Sequence, residues 1–152
     1  ELPFEYVKKI KESSNFQDGY ATMRQLSFAF LDLAWHSIDT SSVNDIEEFE
    51  KMAMEQTSLL PRIPKTSMST SFGHIFSGGY SAGYYSYKWA EVLDAEAFER
   101  FKEQGIFNKD IAHKFRKEIL SKGGSDHPMS LFKKFNGKEP SVDALLARSG
   151  LV

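Results

Sequence analysis

Cysteine is absent from all 152 residues. Its absence excludes disulfide staples, thiolate metal sites and thiol nucleophiles, and is compatible with a cytoplasmic protein. No apolar run approaches the roughly 20 residues that a membrane helix needs. The opening stretch "ELPFEYVKKIKESSNF" also lacks the apolar core of a secretory signal. Neither sign of charge dominates, since 19 Lys and Arg against 21 Asp and Glu leave a formal net charge of -2. Without a basic footprint, neither nucleic acid nor an anionic membrane is an expected partner. A content of 41% hydrophobic and 26% charged residues is that of an ordinary globular protein, and 152 residues are enough for one domain with a substantial core. The chain begins with Glu rather than Met, which predicts that it is processed or cut from something longer.

What is present reads as helix. Residues 4–12 follow Pro3 and place Tyr6, Val7 and Ile10 on one side. Residues 15–37, with "NFQDGYATMRQLSFAFLDLAWH", carry Phe16, Tyr20, Met23, Phe30, Leu31 and Ala34 at helical spacing and further apolar residues on the other sides, the pattern of a buried helix. Residues 44–60 open with Asn44 as N-cap and Glu47 three positions later, a capping-box pattern on a surface helix. Between 61 and 79, two prolines, three glycines and a run of Ser and Thr predict a long Gly/Ser/Pro-rich non-helical loop, and long loops in compact domains are often functional. Helices are predicted again over 81–104, 108–120, 128–136 and 141–149. Their predicted terminators are Gly105, Gly137 and Gly150, and the predicted caps include Ser125 or Asp126 for the third and Ser141 for the last. With no repeat and no convincing strand pair, the fold class is all-α.

The chemistry begins with further absences. There is no H-E-x-x-H, no G-x-S-x-G and no P-loop, and His36, His74, His113 and His127 are scattered, so no metal site is expected from this chain alone. Tyrosine is concentrated instead: four of six lie between positions 80 and 87. With a helix starting near Ser81, Tyr80, Tyr84 and Tyr87 share one face at i, i+4 and i+7, directly after Gly78 and Gly79. On another side Tyr85, Trp89 and Val92 have core spacing. Two readings stay open from the residues alone. The rings pack while their tips stay wet, or the phenols, protonated at neutral pH, donate hydrogen bonds to a carbonyl oxygen gaining negative charge, with His74 as a further donor.

As a unit, "FGHIFSGGYSAGYYSYKWAEVLDAEAFERF" followed by "GIFNKDIAHKFRKEILSKGGSDHPMSLFKKFNGKEPSVDALLARSGL" closely resembles the C-terminal part of the zinc oligopeptidase family of thimet oligopeptidase, oligopeptidase A and peptidyl-dipeptidase Dcp. The link "HIFSGGY" resembles the bacterial branch. The resemblance implies a largely helical, zincin-like catalytic domain with a channel for short peptides. In that family, zinc is held by H-E-x-x-H and a later Glu, none of which is present here. It implies a C-terminal fragment, inactive alone, whose partners are short peptide substrates and the missing N-terminal part of the same protein, with self-association through the truncated face. Zinc is the implied cofactor of the parent protein, and the cytoplasm its implied location. Residue by residue, the family pattern matches His74, Gly78, Gly79, Tyr80, Tyr84 and Tyr87. Tyr87 is the implied oxyanion donor, His74 and Tyr80 the implied peptide-binding groups, and Tyr84 a further peptide contact. Tyr85, Arg116 and "GGSDHP" are implied to be structural. The competing expectation is a stand-alone, non-catalytic helical module that holds peptides or a partner protein with the same Gly/Tyr segment.

Overall fold

The computed structural model describes residues 2–152. Among the described residues there is no strand, as the periodicity predicts, and eight α-helices carry the fold, one more than the seven predicted. They are α1 (Phe4–Ser13), α2 (Asp18–Ser37), α3 (Ile46–Met54), α4 (Gly73–Phe76), α5 (Ser86–Gln104), α6 (Lys109–Phe115), α7 (Pro128–Asn136) and α8 (Asp143–Arg148). The length predicts one domain. The chain divides into two compact units, one ending at Lys88 and the other running from Trp89 to Val152, with the division falling inside α5.

In the first unit α2 is the spine. Its buried residues Ala29, Leu31 and Asp32 and its half-buried Phe28 and Trp35 meet Phe49 of α3 and Phe72, Ile75 and Tyr84 from the segment before α5. The contacts are largely aromatic: Trp35 and Phe49 have ring centroids 4.2 Å apart, and Phe28 and Phe72 5.4 Å. α2 is not buried all round as its pattern predicts. Phe30 and Leu33 are 42% and 41% exposed, because the described residues cover only one side of the helix. α1 has no buried residue, and its Phe4, Tyr6 and Ile10 are exposed.

Several predicted boundaries move for identifiable reasons. α3 starts at Ile46, not residue 44, because Asp45 rather than Asn44 is the cap. Its carboxylate accepts from the amides of Glu47 and Glu48 at 2.8 and 3.2 Å. The α-helical part ends at Met54 and a 3-10 turn, Glu55–Thr57, continues it. The 61–79 segment is not wholly non-helical, since it contains a 3-10 turn, Ser69–Ser71, and the four-residue α4.

The second unit is more regular. Ala97, Ile111, Phe132 and Phe135 form its core, with Leu93, Phe101, Phe115 and Ile119 packed against them. Asn108 caps α6, accepting from the Asp110 amide at 2.9 Å. The predicted 108–120 helix is α-helical only to Phe115, and Arg116–Leu120 forms a π-helical turn. His127, not Ser125 or Asp126, caps α7 through its Nδ1. Gly137 ends α7 with a left-handed φ of 87°, and Gly150, at φ 65°, follows α8.

Candidate functional site

The site is built on the turn between α4 and α5. Ile75, completely buried, pins α4 to the first core, and the chain then reverses over Gly78. The amides of Ser77 and Gly78 both donate to the Gly73 carbonyl at 2.8 Å. A Cβ at Gly78 would sit 2.9 Å from the Cα and the carbonyl oxygen of His74, so the turn closes only on glycine. Gly79 takes φ 79°, the left-handed region that suits glycine. The Tyr80 amide then donates to the His74 carbonyl at 3.1 Å, bringing these two residues side by side.

Residues 81–85 form a turn, not the first turn of a helix, and α5 begins only at Ser86. The phenols therefore do not share a helix face as i, i+4 and i+7, yet they converge. The rings of Tyr80 and Tyr87 stack at 5.2 Å with planes 22° apart, and Tyr84 meets Tyr87 edge-on at 5.1 Å. The His74 ring lies 6.0 Å from that of Tyr80 and 6.1 Å from that of Tyr84. All the residues singled out in the sequence, His74, Gly78, Gly79, Tyr80, Tyr84 and Tyr87, thus meet in one place.

Their environments differ. Tyr84 is buried, and its hydroxyl donates to Gln25 Oε1 at 3.0 Å. Burial pushes its pKa above 10, against the opposing pull of the Arg24 guanidinium. Tyr80 and Tyr87 remain exposed to solvent. A hydrogen bond to Tyr80 is the main reason the Tyr87 phenol lies above its ordinary 10, with desolvation and the neighbouring phenols adding to the shift. The proton therefore stays on Tyr87 across the neutral range, leaving it a hydrogen-bond donor. Tyr85 and Trp89, placed by spacing in a core with Val92, are exposed, whereas Val92 is buried. Two grooves of the first unit run along Met54, Leu60, Arg62 and Met68, and neither is lined by Tyr80, Tyr84 or Tyr87.

Residues 1–151 match the sequence pattern of Peptidase family M3. The chain belongs to that family. Relatives within M3 include oligopeptidase A of Haemophilus influenzae, 43% identical over 152 residues, and oligopeptidase A of Escherichia coli, 42% identical over 153. The dipeptidyl carboxypeptidase of Escherichia coli is 36% identical over 152 residues. In each case the match covers 99% of this chain and 22% of the relative, so the chain spans about a fifth of the length of the proteins it resembles. The M3 relatives are thus peptide hydrolases.

Zinc is the metal implied by the M3 family. Among the described residues no three His, Asp or Glu side chains gather around one point. The two fully buried carboxylates, Asp32 and Glu50, are already occupied by protein donors. His36 Nδ1 lies 2.9 Å from Asp32 Oδ1.

Those two carboxylates are what sequence reasoning missed. Asp32, on α2, accepts from the amide of Ala82 at its Oδ1 and from that of Tyr84 at its Oδ2, both at 2.9 Å. Glu50, on α3, accepts from Arg62, from the Ser67 hydroxyl at 2.8 Å, and from the amides of Met68 and Ser69 at 3.1 and 2.5 Å. Burial alone would raise the Glu50 carboxyl, but the donors from Ser69, Ser67 and Met68 outweigh it and hold the pKa at about 2. A signal for Asp32 was available: it is the lone acid inside the apolar run "LSFAFLDLAW". Glu50 offers none, because it looks like one more acid in "IEEFEK".

Proposed function

We propose that the chain is the C-terminal, substrate-facing part of the catalytic domain of a cytosolic zinc metallopeptidase that hydrolyses short peptides, as an oligopeptidase or peptidyl-dipeptidase. The metal ligands belong to another part of the same polypeptide, and this chain is inactive by itself. The observation that carries the reading is the convergence of Tyr80, Tyr87 and His74 on one turn, with two phenols exposed and the third buried behind them.

In this reading Tyr87 donates its hydroxyl hydrogen to the scissile carbonyl oxygen as that oxygen gains negative charge. The phenol is held in place by the rings around it, stacked on Tyr80 at 5.2 Å and met edge-on by Tyr84 at 5.1 Å, so the donor is placed before the peptide arrives. A preorganised donor of this kind is worth roughly 3 kcal/mol in the transition state. The Tyr80 hydroxyl and the His74 imidazole hold the peptide backbone. Tyr84, which the resemblance implies as a peptide contact, acts from behind: its hydroxyl is taken by Gln25 and its ring supports that of Tyr87. The exposed apolar side chains of α1 and of the outer side of α2 face the remainder of the polypeptide.

The test is hydrolysis of a short peptide by the intact gene product and by this chain, with zinc supplied to both. Only the intact protein is expected to cleave, and Tyr87→Phe is expected to lower its kcat by about a hundredfold or more. Hydrolysis by the chain alone would refute the division of the site. An unchanged kcat in Tyr87→Phe would refute the role of the phenol and favour packing.

A further inference from the structure

The turn that presents the phenols has no repeating structure of its own to hold it. Residues 81–85 precede α5, where amide N–H groups have no carbonyl partner in the helix. Two of them, Ala82 and Tyr84, are taken by a side chain about fifty positions earlier in the chain. Asp32 is completely buried and gives one oxygen to each amide, at 2.9 Å in both cases. Ala82 is held at φ 53°, a left-handed conformation that non-glycine residues adopt infrequently, and the bond from its own amide to Asp32 fixes it there. His36, one turn further along α2, places Nδ1 2.9 Å from Oδ1 and 2.8 Å from the Asp32 carbonyl oxygen, which restrains the rotation of the carboxylate.

From Tyr84 the linkage runs directly to Tyr87. The Tyr87 amide donates to the Tyr84 carbonyl at 3.2 Å, and the two rings meet at 5.1 Å. A displacement of the Tyr84 backbone therefore displaces the Tyr87 phenol. α2 is the rigid base of this arrangement, since Leu31, adjacent to Asp32, is completely buried in the first core.

We infer that Asp32 is a positioning residue for the site: by gripping the amides of Ala82 and Tyr84 it sets the place from which Tyr87 donates its hydrogen bond. The inference rests on the reading of Tyr87 given above. It requires a carboxylate rather than an amide, because both partners are N–H donors and an asparagine in the same place would turn its NH2 toward one of them.

The experiment uses the intact gene product carrying Asp32→Asn, Tyr87→Phe, both together, or Glu96→Gln. The last is a buried carboxylate of the second unit, held by Asn136 and Lys138. Thermal midpoint, kcat and KM are measured, and fluorotyrosine resonances report the surroundings of Tyr84 and Tyr87. Asp32→Asn is expected to shift both resonances and to lower kcat by about tenfold to a hundredfold with little change in KM, the scale of a reacting group misplaced by about an ångström. Its effect on kcat should largely disappear once Tyr87 is Phe. Glu96→Gln should lower the thermal midpoint without moving either resonance or kcat. Unshifted resonances in Asp32→Asn, a kcat loss no larger than that of Glu96→Gln, or a loss retained in full on the Tyr87→Phe background would each overturn the inference. If Tyr87→Phe alone leaves kcat unchanged, the donor reading falls, and the placing of the rings by Asp32 is decided by the resonances. Should Asp32→Asn fail to fold, His36→Gln is expected to move the same resonances by less, and no movement would overturn the inference equally.

Discussion

The two units bury carboxylates for different purposes. In the second, Glu96 meets side chains: Asn136 donates to it at 3.3 Å and Lys138 lies 2.8 Å away, linking α5 to α7 and to the residues just after it. In the first, Asp32 and Glu50 meet backbone amides as well as side chains. Four amides, those of Met68, Ser69, Ala82 and Tyr84, end on these two side chains. Helices satisfy their own backbone and need only a packed face, whereas irregular chain leaves buried N–H groups that must find an acceptor. The first unit contains the irregular segment that presents His74 and the phenols, and buried anions take the place of repeating hydrogen bonds there.

The comparison is broken most severely by emptying the regular core. Phe135 is completely buried and meets Phe115 at 5.2 Å. Phe135→Ala is expected to destabilise the second unit by about 3–5 kcal/mol while leaving tyrosine resonances of the first unit in place. Denaturant unfolding followed at Trp35 and Trp89 in single-tryptophan variants checks this, and one shared loss at both probes would show that the units unfold together.

Acid acts on the first unit through Glu50. Its pKa is lowered from 4.5 to about 2 in the folded chain, so the unfolded chain binds the proton more readily and stability rises with pH across that interval. The stabilisation is fully present above about pH 4.5 and is lost as pH falls toward 2. Thermal midpoints between pH 6 and 2 should therefore fall more steeply in the unmodified chain than in Glu50→Gln. Parallel curves would remove Glu50 as the anchor of residues 67–69.

The smallest change sharpens the comparison at one atom. Gly78→Ala places a methyl group 2.9 Å from the His74 backbone and is expected to cost about 1–3 kcal/mol by overpacking. It should also part His74 from Tyr80. Gly124→Ala in the second unit, where a Cβ meets nothing within 4 Å, is the matched control. Equal effects of the two on stability and on the His74 ring resonances would mean that the turn has room to give.

Much of the architecture was legible along the chain. The all-helical class and the left-handed glycines at 137 and 150 follow from signals that act within about four residues. The gathering of His74, Tyr80, Tyr84 and Tyr87 was also legible, from composition and from the resemblance to zinc oligopeptidases. The reason for their convergence was not. Helical spacing from residue 81 predicts a shared face, but the structure has a turn there, because Asp32 takes amides about fifty positions away.

Near-neighbour signals were enough to place all the helices but α4, to stop most of them, and to set the phenols beside a glycine hinge, since propensity, capping and glycine conformation are local properties. Packing between distant elements leaves Tyr80 and Tyr84 outside the helix, turns Tyr84 inward while Tyr80 and Tyr87 face out, and makes Asp32 and Glu50 buried anchors rather than surface acids. Those outcomes depend on which distant amides lack a partner once the core has closed, and no local pattern of residues carries that information.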